Sequence, residues 1–139
     1  MAAWRFFDLV IDDRNLIAEW YATQDARAQA AFDAALTTLA AVEDWLNPPL
    51  EEFKVLEKAH AGLCTVRFDV KTFNPETKKL VPRHFRPATI WHKEKRELIL
   101  ILGCEKSGRI YFPNNALDTA LKYKSRYESG EGYLVEHEV

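Results

Sequence analysis

The sequence has little cysteine: Cys64 and Cys104 stand far apart, at no metal-site or redox-site spacing. That excludes a disulfide framework and zinc-ribbon or thioredoxin-like chemistry. Each sits in an apolar stretch, which predicts a small buried hydrophobe. Glycine is also scarce, and none of the five opens a helix after a strand in a glycine-rich turn. Neither a Rossmann nor a P-loop nucleotide site is therefore expected, nor any bound cofactor. No serine lies in a glycine-flanked nucleophile elbow. His60, His84, His92 and His137 show no i, i+4 pairing and no cysteine at ligand spacing, so no metal site is expected. The longest apolar run, Leu98 to Leu102, is far too short to span a bilayer. The stretch Met1-Ala2-Ala3-Trp4-Arg5 lacks the basic-then-apolar layout of a secretory signal, so a cytoplasmic protein without a membrane partner is expected.

What is present is ordinary globular composition. The 139 residues are 47% apolar and 29% charged, enough for one domain over residues 1–139 with its own core. The formal net charge is −2, but the charge is segregated. Residues 1–53 carry 3 basic and 10 acidic side chains, residues 54–110 carry 13 and 6, and residues 111–139 carry 3 and 5. The middle segment alone can supply a positive face for phosphates.

Local patterns give the order of elements. Trp4 to Ile11 reads as a first strand. Asp13 is an N-cap candidate for a short helix from about Arg14 to Thr23, with Leu16, Ile17, Trp20 and Tyr21 at helical spacing. Asp25 is the cap of a second, alanine-rich helix whose stripe is Phe32, Leu36, Leu39 and Leu46, stopped by Asn47-Pro48-Pro49. The period then changes to two. Cys64, Val66, Phe68 and Val70 alternate with Thr65, Arg67, Asp69 and Lys71, predicting one half-buried strand. Residues 72–83 read as a long charged loop, and His84 to His92 as the returning strand with Pro87 at a bulge or edge. Leu98 to Leu102 reads as a central strand covered on both faces. Lys106 to Arg109 reads as a turn. A C-terminal helix begins at Asn114 or Asn115, and residues 130–139 form a tail beyond it. Helices followed by a meander of strands predict an α+β fold: an N-terminal strand and helical hairpin packed on a mostly antiparallel sheet, with a C-terminal helix.

The strand region holds the candidate chemistry. Arg67 falls on the polar face of its strand; Arg83, His84 and Arg86 enter the next; Lys106 and Arg109 follow the apolar one. Clustered guanidinium and ammonium groups suit phosphate. Tyr111, Phe112, Phe85 and Trp91 are near enough in sequence to stack unpaired bases.

The layout resembles the RelE/HigB toxins of bacterial toxin–antitoxin pairs, in their phage-derived HigB-like branch. The resemblance runs over residues 4–128. It rests on Phe53-Lys54-Val55-Leu56, on Ala61-Gly62-Leu63-Cys64-Thr65-Val66-Arg67-Phe68, on His84-Phe85-Arg86, on the apolar strand from Glu97 running into Glu105-Lys106, and on Pro113 to Ala120. It implies a RelE-like domain acting as a ribosome-dependent endoribonuclease that cuts messenger RNA by 2′-hydroxyl attack without a metal and is neutralised by a cognate antitoxin. Mapped by motif, Arg67 and Arg86 contact the scissile phosphate, and Lys54 or Lys58 serves as base or backbone clamp. Arg83, Lys106 and Arg109 hold RNA. Tyr111 or Tyr133 stacks on it, and His92 or His137 supplies acid–base chemistry. The usual pair of lysines after the apolar strand is here Glu105-Lys106, one cation replaced by an anion, and the sequence pI is about 6.1. These departures favour the alternative, a non-catalytic phage-related binding protein or inhibitor on the same fold. A homodimer paired through the alanine-rich hairpin is the third arrangement.

Overall fold

The computed structural model describes residues 3–139; Met1 and Ala2, part of the N-terminal reading above, lie outside the described residues. The class is α+β. The first strand, β1 (Arg5–Ile11), turns at Asp12 and Asp13, both with positive φ, into the two-residue β2 (Arg14–Asn15). Such a turn is open to aspartate, whose short polar side chain tolerates the left-handed region. Asp13 is therefore a turn residue and not the expected cap. The helix α1 (Leu16–Thr23) is capped by Asn15, whose side chain accepts from the Ala18 N–H.

The helix α2 (Ala26–Ala41) has the expected cap: the Asp25 side chain accepts from the Ala28 N–H at 2.8 Å. It ends at Ala41, several residues before the prolines. Trp45 closes its end: the indole N–H donates to the Leu39 carbonyl, which also accepts from the Val42 N–H, and to the Val42 carbonyl. Phe32, Leu36 and Leu39 are buried as the stripe predicts, whereas Leu46 belongs to the loop beyond.

The expected strand from Cys64 is two strands. β3 (Phe53–Val55) pairs antiparallel with β4 (Cys64–Val66); the chain then breaks at Arg67 and continues as β5 (Phe68–Asn74). The expected loop is mostly strand, since β5 pairs over its whole length with β6 (Lys79–Phe85). The returning strand also divides. Arg86-Pro87 separates β6 from β7 (Ala88–His92). β8 (Glu97–Leu102) follows, then Gly103-Cys104, then β9 (Glu105–Ser107) and β10 (Ile110–Phe112). The helix α3 (Ala116–Glu128) begins after Asn115, whose side chain makes no capping bond. The tail is ordered: β11 (Tyr133–Glu136) pairs antiparallel with β1.

These strands form two sheets. One runs β11-β1-β8-β7-β4-β3, with β2 beside β1; the other runs β10-β9-β6-β5. All pairings are antiparallel except β1 with β8. β8 is central and covered on both faces, as its unbroken apolar run predicts; Leu98 to Ile101 are fully buried. Alternate residues feed two cores. Leu98 and Leu100 face Phe32, Leu36 and Trp45 beneath α2, while Ile99 and Ile101 face Leu117 and Ala120 beneath α3. Trp45 stacks on Trp4 with ring centroids 4.0 Å apart. Each large apolar side chain so buried stabilises by about 1.5–3 kcal/mol. No described helix is long and apolar enough to cross a membrane.

Candidate nucleic-acid interface

Besides its return through α3 from β10 to β11, the chain passes directly from a strand of one sheet to a strand of the other three times: at Arg67, at Arg86-Pro87, and at Gly103-Cys104. The three crossings lie side by side and are stitched by the backbone. Val66 N–H donates to the Pro87 carbonyl at 3.1 Å, and Arg86 N–H donates to the Cys104 carbonyl at 2.8 Å. The Cys104 thiol donates to the Arg86 carbonyl. Two of these three crossings carry an arginine, so the seam between the sheets is where guanidinium groups meet.

Around that seam lies a cleft of about 280 Å³, lined by Lys54, Thr65, Arg67, His84, Arg86, Lys106, Gly108 and Tyr111. Register explains the set. Lys54 pairs with Thr65, and Lys106 with Tyr111. Directly opposed residues share a face, so each pair offers both members to the cleft. His84 pairs with Asp69 across β5 and β6, on the face opposite the buried Phe68 and Phe85.

The cations are close enough to feel one another. Burial lowers the Lys106 ammonium's proton affinity, and the charges of Lys54, Arg86 and Arg67 lower it further. The same ammonium lies 5.3 Å from the Tyr111 ring centroid. Burial raises the Tyr111 phenol, as does Cys104, while Arg86 and Arg67 pull the other way. Tyr111 therefore stays a neutral hydroxyl beside the cations. Arg86 is anchored through one nitrogen: Nη1 donates to Asp69 Oδ1, to the Phe68 carbonyl and to the Phe85 carbonyl. Its Nε and Nη2 make no hydrogen bond among the described residues, nor does any side-chain atom of Arg67. Two guanidinium forks thus keep donors for an incoming anion. His84 Nδ1 sits 2.9 Å from Asp69 Oδ1, which leaves Nε2 as the unengaged ring nitrogen.

On the other side of the same two arginines is a wider groove of about 650 Å³, walled by Ala31, Ala34 and Ala35 of α2 and by Glu51, Glu52 and Asp69. Its carboxylates give it the opposite polarity to the cleft.

Of the residues picked out by sequence, Lys54, Arg67, His84, Arg86, Lys106 and Tyr111 converge. The others do not. Arg83 lies on the Phe85 side of β6, ion-paired with Glu105 and 4.7 Å from the Phe85 ring centroid. Strand parity puts it there, one residue out of step with His84. Lys58 is exposed on a short 3₁₀ turn (Lys58–His60), and Arg109 is exposed in the β9–β10 turn. His92 ends β7, six residues beyond Arg86 and on the order of 20 Å along extended chain. Its Nδ1 is buried without a hydrogen bond, 3.9 Å from Glu97. His137 pairs with Asp8 on β1, and Tyr133 lies exposed on β11, at the far edge of the larger sheet. Phe85 and Trp91 are core aromatics, with Trp91 stacked at 5.9 Å on Trp45. Sequence reading placed His84 in the cationic strand region without a catalytic role, and gave no role to Asp69. The signal was present: alternation places His84 opposite the Arg83/Phe85 face, but its partner Asp69 is fixed only by register.

No family model, curated protein or solved structure matches the chain.

Proposed function

We propose that the chain is a RelE/HigB-like toxin, an endoribonuclease that acts on messenger RNA at the ribosome and is held in check by a cognate antitoxin. The observation that carries this reading is the convergence of Lys54, Arg67, Arg86 and Lys106 with Tyr111 on one cleft. Four cations around so small a volume suit a phosphodiester, whose non-bridging oxygens accept bidentate hydrogen bonds from arginine. The reaction is attack of a ribose 2′-oxygen on the adjacent phosphorus. The 2′-hydroxyl proton passes to a base, the bond to the 5′-oxygen breaks, and that oxygen takes up a proton, leaving a 2′,3′-cyclic phosphate and a 5′-hydroxyl.

Arg67 and the free edge of Arg86 hold the phosphate and stabilise the charge that builds on its oxygens. Lys106, whose proton affinity burial and its cationic neighbours lower, is fitted to exchange a proton at lower pH than an ordinary lysine. His84, turned by Asp69 so that Nε2 is free, is the second group that can move a proton. Tyr111 offers a ring face for a base. The net charge of −2 gives the chain little long-range pull on free RNA, which fits a substrate delivered by the ribosome.

The test is expression in bacteria of the wild type, Arg67→Ala and Lys106→Ala, followed by primer extension on cellular messenger RNA. Growth arrest and new 5′ ends with the wild type alone are expected. Normal growth and intact messages in all cultures, with folded protein present, would remove the nuclease reading. A stable protein partner found in its place would select the binding-protein alternative, which the carboxylate pairing of Arg83 by Glu105 favours.

A further inference from the structure

The β5–β6 hairpin extends well past the cleft, and its outer part makes a surface of its own. Register places Asp69 with His84, Lys71 with Pro82, and Phe73 with Leu80. All six are on one face, which is the face that His84 contributes to the cleft. Phe73 and Leu80 are directly opposed and are 59% and 50% exposed, among the most exposed large apolar side chains of the described residues. An isolated apolar pair at a hairpin tip gains nothing for the fold. Lys71 shares that face and Lys78 lies in the turn at the tip, while Lys79, paired with Asn74, falls on the opposite face; Glu76 is the one carboxylate over residues 71–81. None of these three lysines makes an ion pair among the described residues.

We propose that this hairpin is a binding track for single-stranded RNA, continuing from the cleft: a base beyond the scissile nucleotide stacks on Phe73 against Leu80, while Lys71 and Lys78 follow its phosphates. This rests on the reading of the cleft as an RNA site. Two observations favour RNA over a protein as the occupant. The patch is an aromatic flanked by the unpaired ammonium groups of Lys71 and Lys78, the combination that binds single strands without regard to sequence. It also lies on the same face as His84, Lys106 and Tyr111, so one strand can touch both without turning a corner. From Asp69 to Phe73 the strand rises about 13 Å, which places the patch beyond the reach of the nucleotide seated in the cleft.

The experiment uses 2′-O-methyl oligoribonucleotides, which lack the attacking hydroxyl and remain intact, labelled with fluorescein and titrated at low ionic strength. One probe has about three nucleotides and the other about twelve, bracketing a single-strand site. Phe73→Ala/Leu80→Ala is expected to weaken the longer probe roughly tenfold and to leave the shorter one unchanged. Lys71→Ala/Lys78→Ala is expected to reduce the salt dependence of the longer probe's affinity by about 1.4 in log–log slope. Arg67→Ala is expected to weaken both probes. If the hairpin variants bind the longer probe as the wild type does while Arg67→Ala does not, the track is overturned and the cleft reading stands. Retained RNA affinity in the Phe73/Leu80 variant, together with loss of a protein partner, would reassign the patch to that partner. If the wild type binds neither probe even at low ionic strength, the track is overturned, and the cleft reading is decided by primer extension on cellular messenger RNA.

Discussion

Asp69 Oδ1 lies 3.0 Å from Arg86 Nη1 and 2.9 Å from His84 Nδ1, so one carboxylate oxygen orients both a guanidinium fork and an imidazole. Burial disfavours the Asp69 anion, but the hydrogen bonds from His84 and Arg86 outweigh it and hold the carboxyl below its ordinary value. Its folded value is depressed, so its contribution to stability is present above the unfolded value and is lost as pH falls through the folded one. Asp69→Asn is expected to flatten the acid limb of the stability profile, read by urea unfolding between neutral pH and about pH 3. On the proposed function it also lowers cleavage by at least about tenfold, short of the ~10²–10⁴ typical of removing a proton-transfer group itself.

The two arginines at the seam differ in what they hold. Arg67 donates no side-chain hydrogen bond among the described residues, whereas Arg86 ties two carbonyls and a carboxylate from a mostly buried position. Arg86→Ala is expected to cost roughly 1.5–3 kcal/mol, the range for hydrogen bonds to a charged group. Arg67→Ala is expected to stay within about 0.5 kcal/mol of wild type and, on the proposed function, to abolish cleavage. Chemical denaturation of both variants separates the two effects. Equal losses of stability would mean that Arg67 is a structural residue.

Gly103 admits no side chain. A Cβ there would fall 1.9 Å from Cδ2 of the Trp20 ring, which packs edge-on against Phe32 and Phe85. Gly103→Ala must displace that indole and with it the β8-to-β9 crossing. A loss of about 1–3 kcal/mol or more is expected, measured by the shift in denaturant midpoint, together with a changed tryptophan emission. Gly108→Ala serves as the comparison: it has open space around its Cβ position but a positive φ of 59°, so its cost is confined to the backbone.

Both thiols are buried, and burial pushes each up to about 12 from an ordinary value near 9. Their folded values are raised, so the stability they contribute is complete below the unfolded value and is lost as pH climbs from about 9 towards 12. Cys64→Ser and Cys104→Ser are each expected to flatten that alkaline loss. Reaction with a thiol reagent at pH 8 is expected to be slow in the native protein and fast in urea. Rapid native labelling of either cysteine would show that the core opens locally there.

Much of the architecture was legible from local pattern. The unbroken run at Leu98 to Leu102 marked the central strand, the Phe32/Leu36/Leu39 stripe marked the buried face of α2, and Asp25 marked its start. Asp13 misled, because a hairpin turn and a helix cap draw on the same short polar side chains. Residues 72–83 misled because charge and a proline read as loop, whereas an edge hairpin tolerates both.

The site was half legible for a definite reason. Side-chain alternation is a property of a single strand, so the sequence itself determined that Arg67 is out of phase with Val66 and Phe68, that Arg83 shares a face with Phe85, and that His84 does not. Alternation says nothing about which strand lies alongside. The breaks at Arg67 and Arg86 look, in sequence, like continuous strand, and only the tertiary structure, in which Phe68 and Phe85 of the smaller sheet join the same core as Leu98 and Leu100 of the larger one, decides that the chain changes sheets there. That long-range choice, and not any local preference, brings Lys54, Arg67, Arg86 and Lys106 together, and leaves His92, His137 and Arg83 elsewhere.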